Sequence, residues 1–552
     1  MNDKLFLIAI GGTGMRCLES FVHLCAAGIF DNRTIDILTL DTDQSNGNKG
    51  RVEELIELYN KVKTNDPSNF GGEQRADTFF SAKLNLYRFF TDYSTDERRT
   101  LAALEQATNN LTPEQRRDNE DLANLMFDRD TVQSFQLDHG YRAQTHLGSM
   151  LMYHGIIEAA RNAKAGGKDV KPQEKELKEF LELLNKNANQ ARVFVFGSVF
   201  GGTGASSIPV IPVALQEALR IISGGNNVLN LNKVKFGSTL LTDYFTFKAP
   251  TDDQRKRDRV IADSSNFALN SQAALNFYNN DSTVKRSYKR LYHIGWPTTM
   301  KINYSEGQTG DVVTGGHDQK NACHIAELMC AAAAYDFFTT DKFDNEQAEY
   351  FFRTVKVNDN GALELTGASF VGDERGEMFE NKLGAFLSLA HLMLSKFEGG
   401  FQDVCGTLNF LGNIESNYKI TNYSSITDQQ ANEIDDYLKE FAYKFVKGLF
   451  IPGWIYQIQR SVGDGNFLFA PEAFQSDVAA MPDIDAGAIF LDDAHNWEKG
   501  GLFGSAANRR FDKLMQIVRS ADSEPDEKQA STVKEQFLAH LYNAITIAQN
   551  YQ

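Results

Sequence analysis

The chain has 552 residues, too many for one small hydrophobic core, so at least two domains are expected. It is 42% hydrophobic and 23% charged, and its 40 phenylalanines call for large aromatic cores rather than disorder. A net charge of −17 excludes a general nucleic-acid or membrane-surface binder, either of which needs a basic footprint; a local basic patch at a phosphate site is still compatible with it.

The chain opens with the apolar run Lys4–Ile10, which reads as a buried parallel strand. It passes through Gly11-Gly12-Thr13-Gly14 into an amphipathic helix, Met15 to Ala27, stopped by Gly28. No basic leader with an apolar segment precedes the strand, and no stretch approaches the ~18 apolar residues of a membrane span, so neither signal peptide nor anchor is expected. A second strand, Thr34–Leu40, ends in Asp41-Thr42-Asp43. An acidic strand end after a glycine-rich turn suits a ribose hydroxyl, or a metal held through water, or simply a solvated loop.

Residues 46–138 are charged and helical in pattern, without an obvious strand, and read as an inserted helical region. His139-Gly140-Tyr141-Arg142 then leads past Gly148 into an apolar helix through Ala163, so that Gly140 and Arg142 lie where a phosphate or an ordinary capped loop fits. An acidic helix, Gln173 to Asn187, follows. The next strand, from Arg192, runs into Gly201-Gly202-Thr203-Gly204 and a helix from Ala205 to Ile222. Strand, glycine turn and helix together make an anion site: glycine admits a phosphate close to the backbone, and the first N–H groups of the helix point at it. Tight strand-to-helix turns are also glycine-rich for steric reasons alone. The second copy of Gly-Gly-Thr-Gly is what favours one nucleotide held between two loops of a single sheet.

Further strands are expected at Lys233–Phe245 and Lys289–Gly295, separated by a polar helical region, Asp252 to Asn280. The alternation predicts an α/β fold with a parallel, doubly wound sheet. After a glycine-containing loop, Asn303 to Lys320, comes the strongest helix of the chain, from Asn321; it is alanine-rich and apolar nearly all round, hence buried. Asn321, His324 and Glu327 share one side of its first turn, either as functional groups or as N-terminal capping with dipole compensation. Beyond Asp341 the pattern changes: strands at Glu349–Val357 and Ala362–Val371, helices at Lys382–Phe397, Ala431–Phe450 and Lys534–Gln549, read as a second α+β domain. The five cysteines, Cys17, Cys25, Cys323, Cys330 and Cys405, show no metal-type pairing and fit a reducing cytoplasm.

The order of these pieces resembles the tubulin/FtsZ superfamily of GTPases. The run Phe200-Gly201-Gly202-Thr203-Gly204-Ala205-Ser206 is similar to the tubulin signature Gly-Gly-Gly-Thr-Gly-(Ser/Thr/Ala)-Gly, with a phenylalanine for the first glycine and a serine for the last. Gly11 to Gly14, Asp41 to Asp43, and Gly140 to Gly148 look like the family's other nucleotide loops, and Asn-x-x-His-x-x-Glu-Leu from Asn321 looks most like its divergent bacterial tubulin-like branch. The likeness covers roughly residues 1–340, taken as the nucleotide-binding domain with its central helix over 321–340; residues 341–552 form the remainder. It implies GTP or GDP with Mg²⁺ as ligands and no dedicated protein metal site. Gly11, Gly12, Thr13, Gly14, Gly140, Arg142, Gly201, Gly202, Thr203 and Gly204 would cradle phosphates. Asp41 and Asp43 would lie near the Mg²⁺, and Asn321 with His324 near the guanine. Polymer-forming members hydrolyse GTP with an acidic loop, Asn-x-Asp-x-x-(Asp/Glu), after the central helix, and that motif is missing here. Glu327, Asp341 and Asp344 are the nearest candidates for its acid. The resemblance implies self-association into cytoskeletal filaments, or a nucleotide-sensing scaffold for a protein partner. The alternative is a Rossmann-type dinucleotide-binding protein built on the first glycine loop and Asp41.

Overall fold

The computed structural model describes residues 3–30, 33–63, 78–93, 95–96, 98–106, 112–137, 140–141, 144–168, 170–225, 233–253, 262–303, 316–317, 319, 324–344, 348–357, 363–396, 458–460, 467–469, 517, 522, 525 and 533–549. Its centre is an all-parallel sheet of seven strands: β1 (Lys4–Ile10), β2 (Thr34–Asp41), β3 (Lys83–Phe90), β4 (Ala191–Phe196), β5 (Lys235–Leu241), β6 (Tyr288–Ile294) and β7 (Glu349–Arg353). They lie in the order β3-β2-β1-β4-β5-β6-β7. The principal helices are α1 (Gly11–Ala26), α2 (Gly47–Lys63), α3 (Pro113–Met126), α4 (Thr145–Ala165), α5 (Pro172–Lys186), α6 (Gly202–Ser207), α7 (Ile211–Ile222), α8 (Phe267–Asn280), α9 (Ile325–Thr339), α10 (Asp373–Lys396) and α11 (Val533–Gln549).

Helices cover both faces of the sheet, which is why its inner strands read as continuous apolar runs rather than alternating ones. Leu5, Leu7, Ala9, Phe194 and Phe196 enter one buried cluster with α1, α2, α9 and α10. Phe6, Ile8, Ile10, Val193 and Val195 enter the other with α4, α5 and α7. As its all-round apolar surface requires, α9 lies against β4, β5 and β6 and along α1, with Ile325 through Ala334 all buried.

Several expected elements are corrected. The region 46–138 is not strand-free: β3 is an edge strand of the sheet, and its half-buried residues mask the apolar signal. The first helix begins at Gly11, within the glycine turn, rather than at Met15. The helix expected over Ala205–Ile222 is two helices, α6 and α7, broken where Pro209 withholds an N–H from the ladder. The strand expected at Lys233–Phe245 ends at Leu241. The polar region after Asp252 forms its helix only from Phe267, after a short turn at Ser264–Asn266, and residues 254–261 lie outside the described residues. The central helix starts at Ile325 with His324 as its N-cap, and Asn321 lies outside the described residues.

Past Asp341, the strand expected over Glu349–Val357 divides: residues 349–353 form β7, hydrogen-bonded in parallel to β6, and Lys356–Val357 pairs antiparallel with Leu363–Leu365. Residues 367–371, expected as strand, are a short helix, and α10 begins at Asp373, well before Lys382. Helix α11 returns to the first core, where Tyr542 meets Phe79 edge-on at 5.0 Å between ring centroids and α11 packs along α10. The helix expected at Ala431–Phe450 lies outside the described residues.

Candidate functional site

The two Gly-Gly-Thr-Gly turns follow β1 and β4, neighbouring parallel strands in the middle of the sheet. The chain leaves β1 toward β2 on one side and β4 toward β5 on the other, so the turns flank the point where strand order reverses. Open parallel sheets bind ligands in that crevice, beyond the carboxyl ends of the strands.

The glycines are there for definite reasons. A Cβ on Gly14 would stand 2.7 Å from the carbonyl oxygen of Phe196, and one on Gly204 would stand 2.6 Å from that of Ser198. The last glycine of each turn therefore lets a helix start directly against strand backbone. Gly11 has φ +65°, and a Cβ there would lie 3.0 Å from the Cβ of Thr203. Gly140 has φ +75° and its Cβ position is 3.7 Å from Thr203 Oγ1. Three loops thus meet at Thr203. Gly148, in the first turn of α4, leaves room for the Tyr141 ring and for Ser206 of α6, where a Cβ would be 2.4 Å and 2.6 Å from their atoms. Ser149 locks the two helices by donating from its hydroxyl to the Ser206 carbonyl at 2.8 Å.

Helices α1, α4 and α6 begin at this junction, and no side chain caps the first turn of any of them; their N-cap residues are Ile10, Gln144 and Gly201. Elsewhere in the chain Thr112, Asp128, Asp281 and His324 cap their helices, whereas α7 and α8 also begin without a side-chain cap. Uncapped helix starts aimed into one crevice leave their N–H groups to solvent or to an anionic ligand. Thr13 and Gly12 are half-buried on α1, and Gly202 is the first residue of α6.

Asp41 and Asp43 stand beside the first turn, at the end of β2, whose Leu40 is in register with Ile10 of β1. Asp41 Oδ1 accepts the N–H of Thr42 at 2.8 Å and of Asp43 at 3.3 Å. Its Oδ2 is buried with no hydrogen-bond partner among the described residues. Burial, and then the nearby Asp43 charge, push the Asp41 carboxyl up to about 7. Asp43 is fully used: Oδ1 accepts from Ser45, and Oδ2 accepts the N–H of Gly316 at 2.6 Å.

Three amides close the same corner. The Cβ position of Gly12 is 3.3 Å from Asn46 Nδ2, 3.4 Å from Gln319 Oε1 and 3.5 Å from Asn48 Nδ2. Asn46 caps α2 through Oδ1, accepting the N–H of Asn48 at 2.9 Å, and donates from Nδ2 to Gln319 at 3.0 Å. Nothing local in the sequence marks these three residues as part of one site. Asn46 carried only a helix-cap signal, and Gln319 is brought here from far along the chain by tertiary contacts alone.

Glu327, expected as an acid, stands in the first turn of α9. It is fully buried, with Oε1 against Arg16 Nε at 2.9 Å and taking the Tyr244 hydroxyl, and Oε2 accepting the His324 N–H at 2.8 Å. These contacts make a capping box joined to a buried ion pair, with the side chain shut off from solvent. Burial raises its proton affinity, opposed chiefly by Arg16. His324 accepts the Ala326 N–H on Nδ1 at 2.9 Å, and burial holds its ring well below the usual histidine range, hence neutral.

Asp341 and Asp344 are exposed at the other end of α9. That end is fixed by Arg192, at the start of β4, which donates to the carbonyls of Phe337, Phe338 and Thr340 at 3.0, 3.1 and 2.6 Å. The two aspartates therefore sit at the amino ends of the strands, across the sheet from the glycine turns. Arg142 and Asn321 lie outside the described residues, as do Cys323 and Cys405; Cys17, Cys25 and Cys330 are buried free thiols.

Among the described residues no group of three or more His, Cys, Asp or Glu is placed to hold a metal, and no helix is long and apolar enough to cross a membrane. Comparison of the chain with protein-family models, with curated proteins and with solved structures found no match.

Proposed function

We propose that the chain is a tubulin/FtsZ-like guanine-nucleotide-binding protein that takes GTP or GDP with Mg²⁺ and assembles with further copies of itself. The observation that carries nucleotide binding is the meeting at Thr203 of three glycine loops with three helix starts that no side chain caps. Backbone N–H groups of Gly11 to Gly14, Gly140 and Gly201 to Gly204 would hold the phosphates, and the Thr203 hydroxyl would add a donor. Asp41 fits a Mg²⁺ held mainly by phosphates and water, because Oδ2 is a buried acceptor in want of a partner. That ion would neutralise phosphate charge.

The place of Asp341 and Asp344 supports assembly. They cannot reach the glycine turns of their own chain past a fifteen-residue helix, about 22 Å long at 1.5 Å per residue. A second copy stacked on the sheet's other end could present them to a γ-phosphate. Hydrolysis would then need two chains per site and rise faster than linearly with protein concentration.

The test is thermal stabilisation by GTP, GDP, ATP and NAD(H), with sedimentation and phosphate release across a concentration series. Stabilisation by guanine nucleotides with Mg²⁺, lost in Thr203→Val, supports the reading. Strong stabilisation by NAD(H) and none by GTP would replace it with a dinucleotide site, which the strand order and Asp41 at the end of β2 also suit. Binding without hydrolysis or pelleting would leave a nucleotide-sensing scaffold for a protein partner.

A further inference from the structure

Arg16 and Glu327 are an ion pair buried to within a few per cent of full exclusion from solvent. Such pairs add little net stability, since apolar side chains of similar volume often serve as well or better; in some proteins they serve instead to hold one geometry. The elements joined by this pair are therefore informative. Arg16 lies one helical turn beyond Gly12 on α1. Its Nη2 donates at 2.6 Å to the hydroxyl of Tyr244, in the loop after β5, and that hydroxyl in turn donates to Glu327 on the first turn of α9. The ring of His324, the N-cap of α9, stands 4.8 Å from the Tyr244 ring and 4.5 Å from that of Trp296, in the loop after β6. The guanidinium also lies over the Phe245 ring, 5.4 Å from its centroid. One cluster thus ties the carboxyl ends of β1, β5 and β6 to the start of the central helix, directly behind the first glycine turn.

We infer that Arg16, Glu327 and Tyr244 are positioning residues for the nucleotide: they fix the first turn of α1 so that the N–H groups of Gly11 to Gly14 face the phosphates. This rests on the nucleotide reading above. A displacement of that turn misaims several N–H donors at once, and losing even one hydrogen bond to a charged group costs on the order of tenfold in affinity.

The experiment measures Mg·GTP affinity and denaturant unfolding on the full chain. Arg16→Met alone leaves a buried carboxylate uncompensated and should unfold early. The pair Arg16→Met with Glu327→Gln removes both charges, nearly preserves volume, and keeps an acceptor oxygen for the His324 N–H, while the amide NH2 can donate to the Tyr244 hydroxyl oxygen that has lost its Arg16 donor. Its stability should return toward that of the wild type while Mg·GTP binds roughly tenfold or more weakly. Tyr244→Phe, which keeps the ring and loses only the hydroxyl, should also weaken binding without a matching loss of melting temperature, and serves if the double variant does not fold. Wild-type affinity in a folded double variant, or in Tyr244→Phe if that alone folds, overturns the inference and leaves the pair a purely structural contact. Absence of any nucleotide binding by the wild-type protein overturns the nucleotide reading itself, and is told apart by that control.

Discussion

The same four residues, Gly-Gly-Thr-Gly, occur twice and are used differently. In both copies the fourth glycine is squeezed between a helix start and strand backbone, Gly14 against Phe196 and Gly204 against Ser198. The first glycine differs: Gly11 has φ +65°, whereas Gly201 is extended at φ −90° with a Cβ position 3.2 Å from the Ser198 hydroxyl. The first turn opens the sixteen-residue helix α1 beside a buried carboxylate, and the second opens the six-residue helix α6, whose Thr203 projects at the first. A repeated motif therefore reports a shared packing need at its last position and separate duties at the others.

The largest effect should fall on the shared position. Gly14→Ala and Gly204→Ala each force a methyl onto immobile backbone and should cost about 3 kcal/mol, the upper part of the range for overpacking. Denaturant unfolding of both variants checks this, and loss in only one would break the equivalence of the two turns.

A smaller effect sharpens the difference in surroundings. The Asp41 carboxyl titrates at about 7 in the folded chain, against ~3.9 when unfolded. The folded state thus binds the extra proton, so this group's contribution is full below about pH 4 and is lost as pH rises through about 7. Asp41→Asn removes that loss. Relative to wild type it should gain on the order of 2 kcal/mol between pH 5 and pH 8. Unfolding measured across that range without nucleotide or Mg²⁺ tests it, and a pH-independent difference would show that Asp41 is ionised throughout.

The smallest effects separate the first glycines. Gly11→Ala places an L side chain in the left-handed region and should cost about 1–2 kcal/mol. Gly201→Ala is compatible with its backbone and should stay within about 0.5 kcal/mol. Equal costs would mean that the two turns share more than their last glycine.

Much of the sheet was legible in the sequence because strands buried on both faces announce themselves as apolar runs: β1, β2, β4, β5 and β6 were all anticipated within a few residues. The edge strands fared worse. β3 was hidden by half-buried, mixed residues, and β7 was assigned to a separate domain because nothing local shows that Glu349–Arg353 pairs with a strand more than fifty residues earlier. The glycines of the site could be named from their spacing. The physical reason for each could not, since Gly14 is required by Phe196 and Gly148 in part by Ser206, both distant in sequence, and Gly204 by the way its own turn folds back on Ser198.

The sequence by itself determined the alternation of strand and helix, the burial of α9, and the two glycine turns, because each is written in local periodicity and in residues with unusual backbone freedom. Only the tertiary structure decided that the two turns are adjacent, that Thr203 is where they and the Gly140 loop meet, and that Gln319 comes to rest by Gly12. It also decided the surroundings of Glu327. A glutamate three residues after a helix N-cap looks the same in sequence whether it faces water or an arginine from another helix, and the packing of α9 against α1 put Arg16 there.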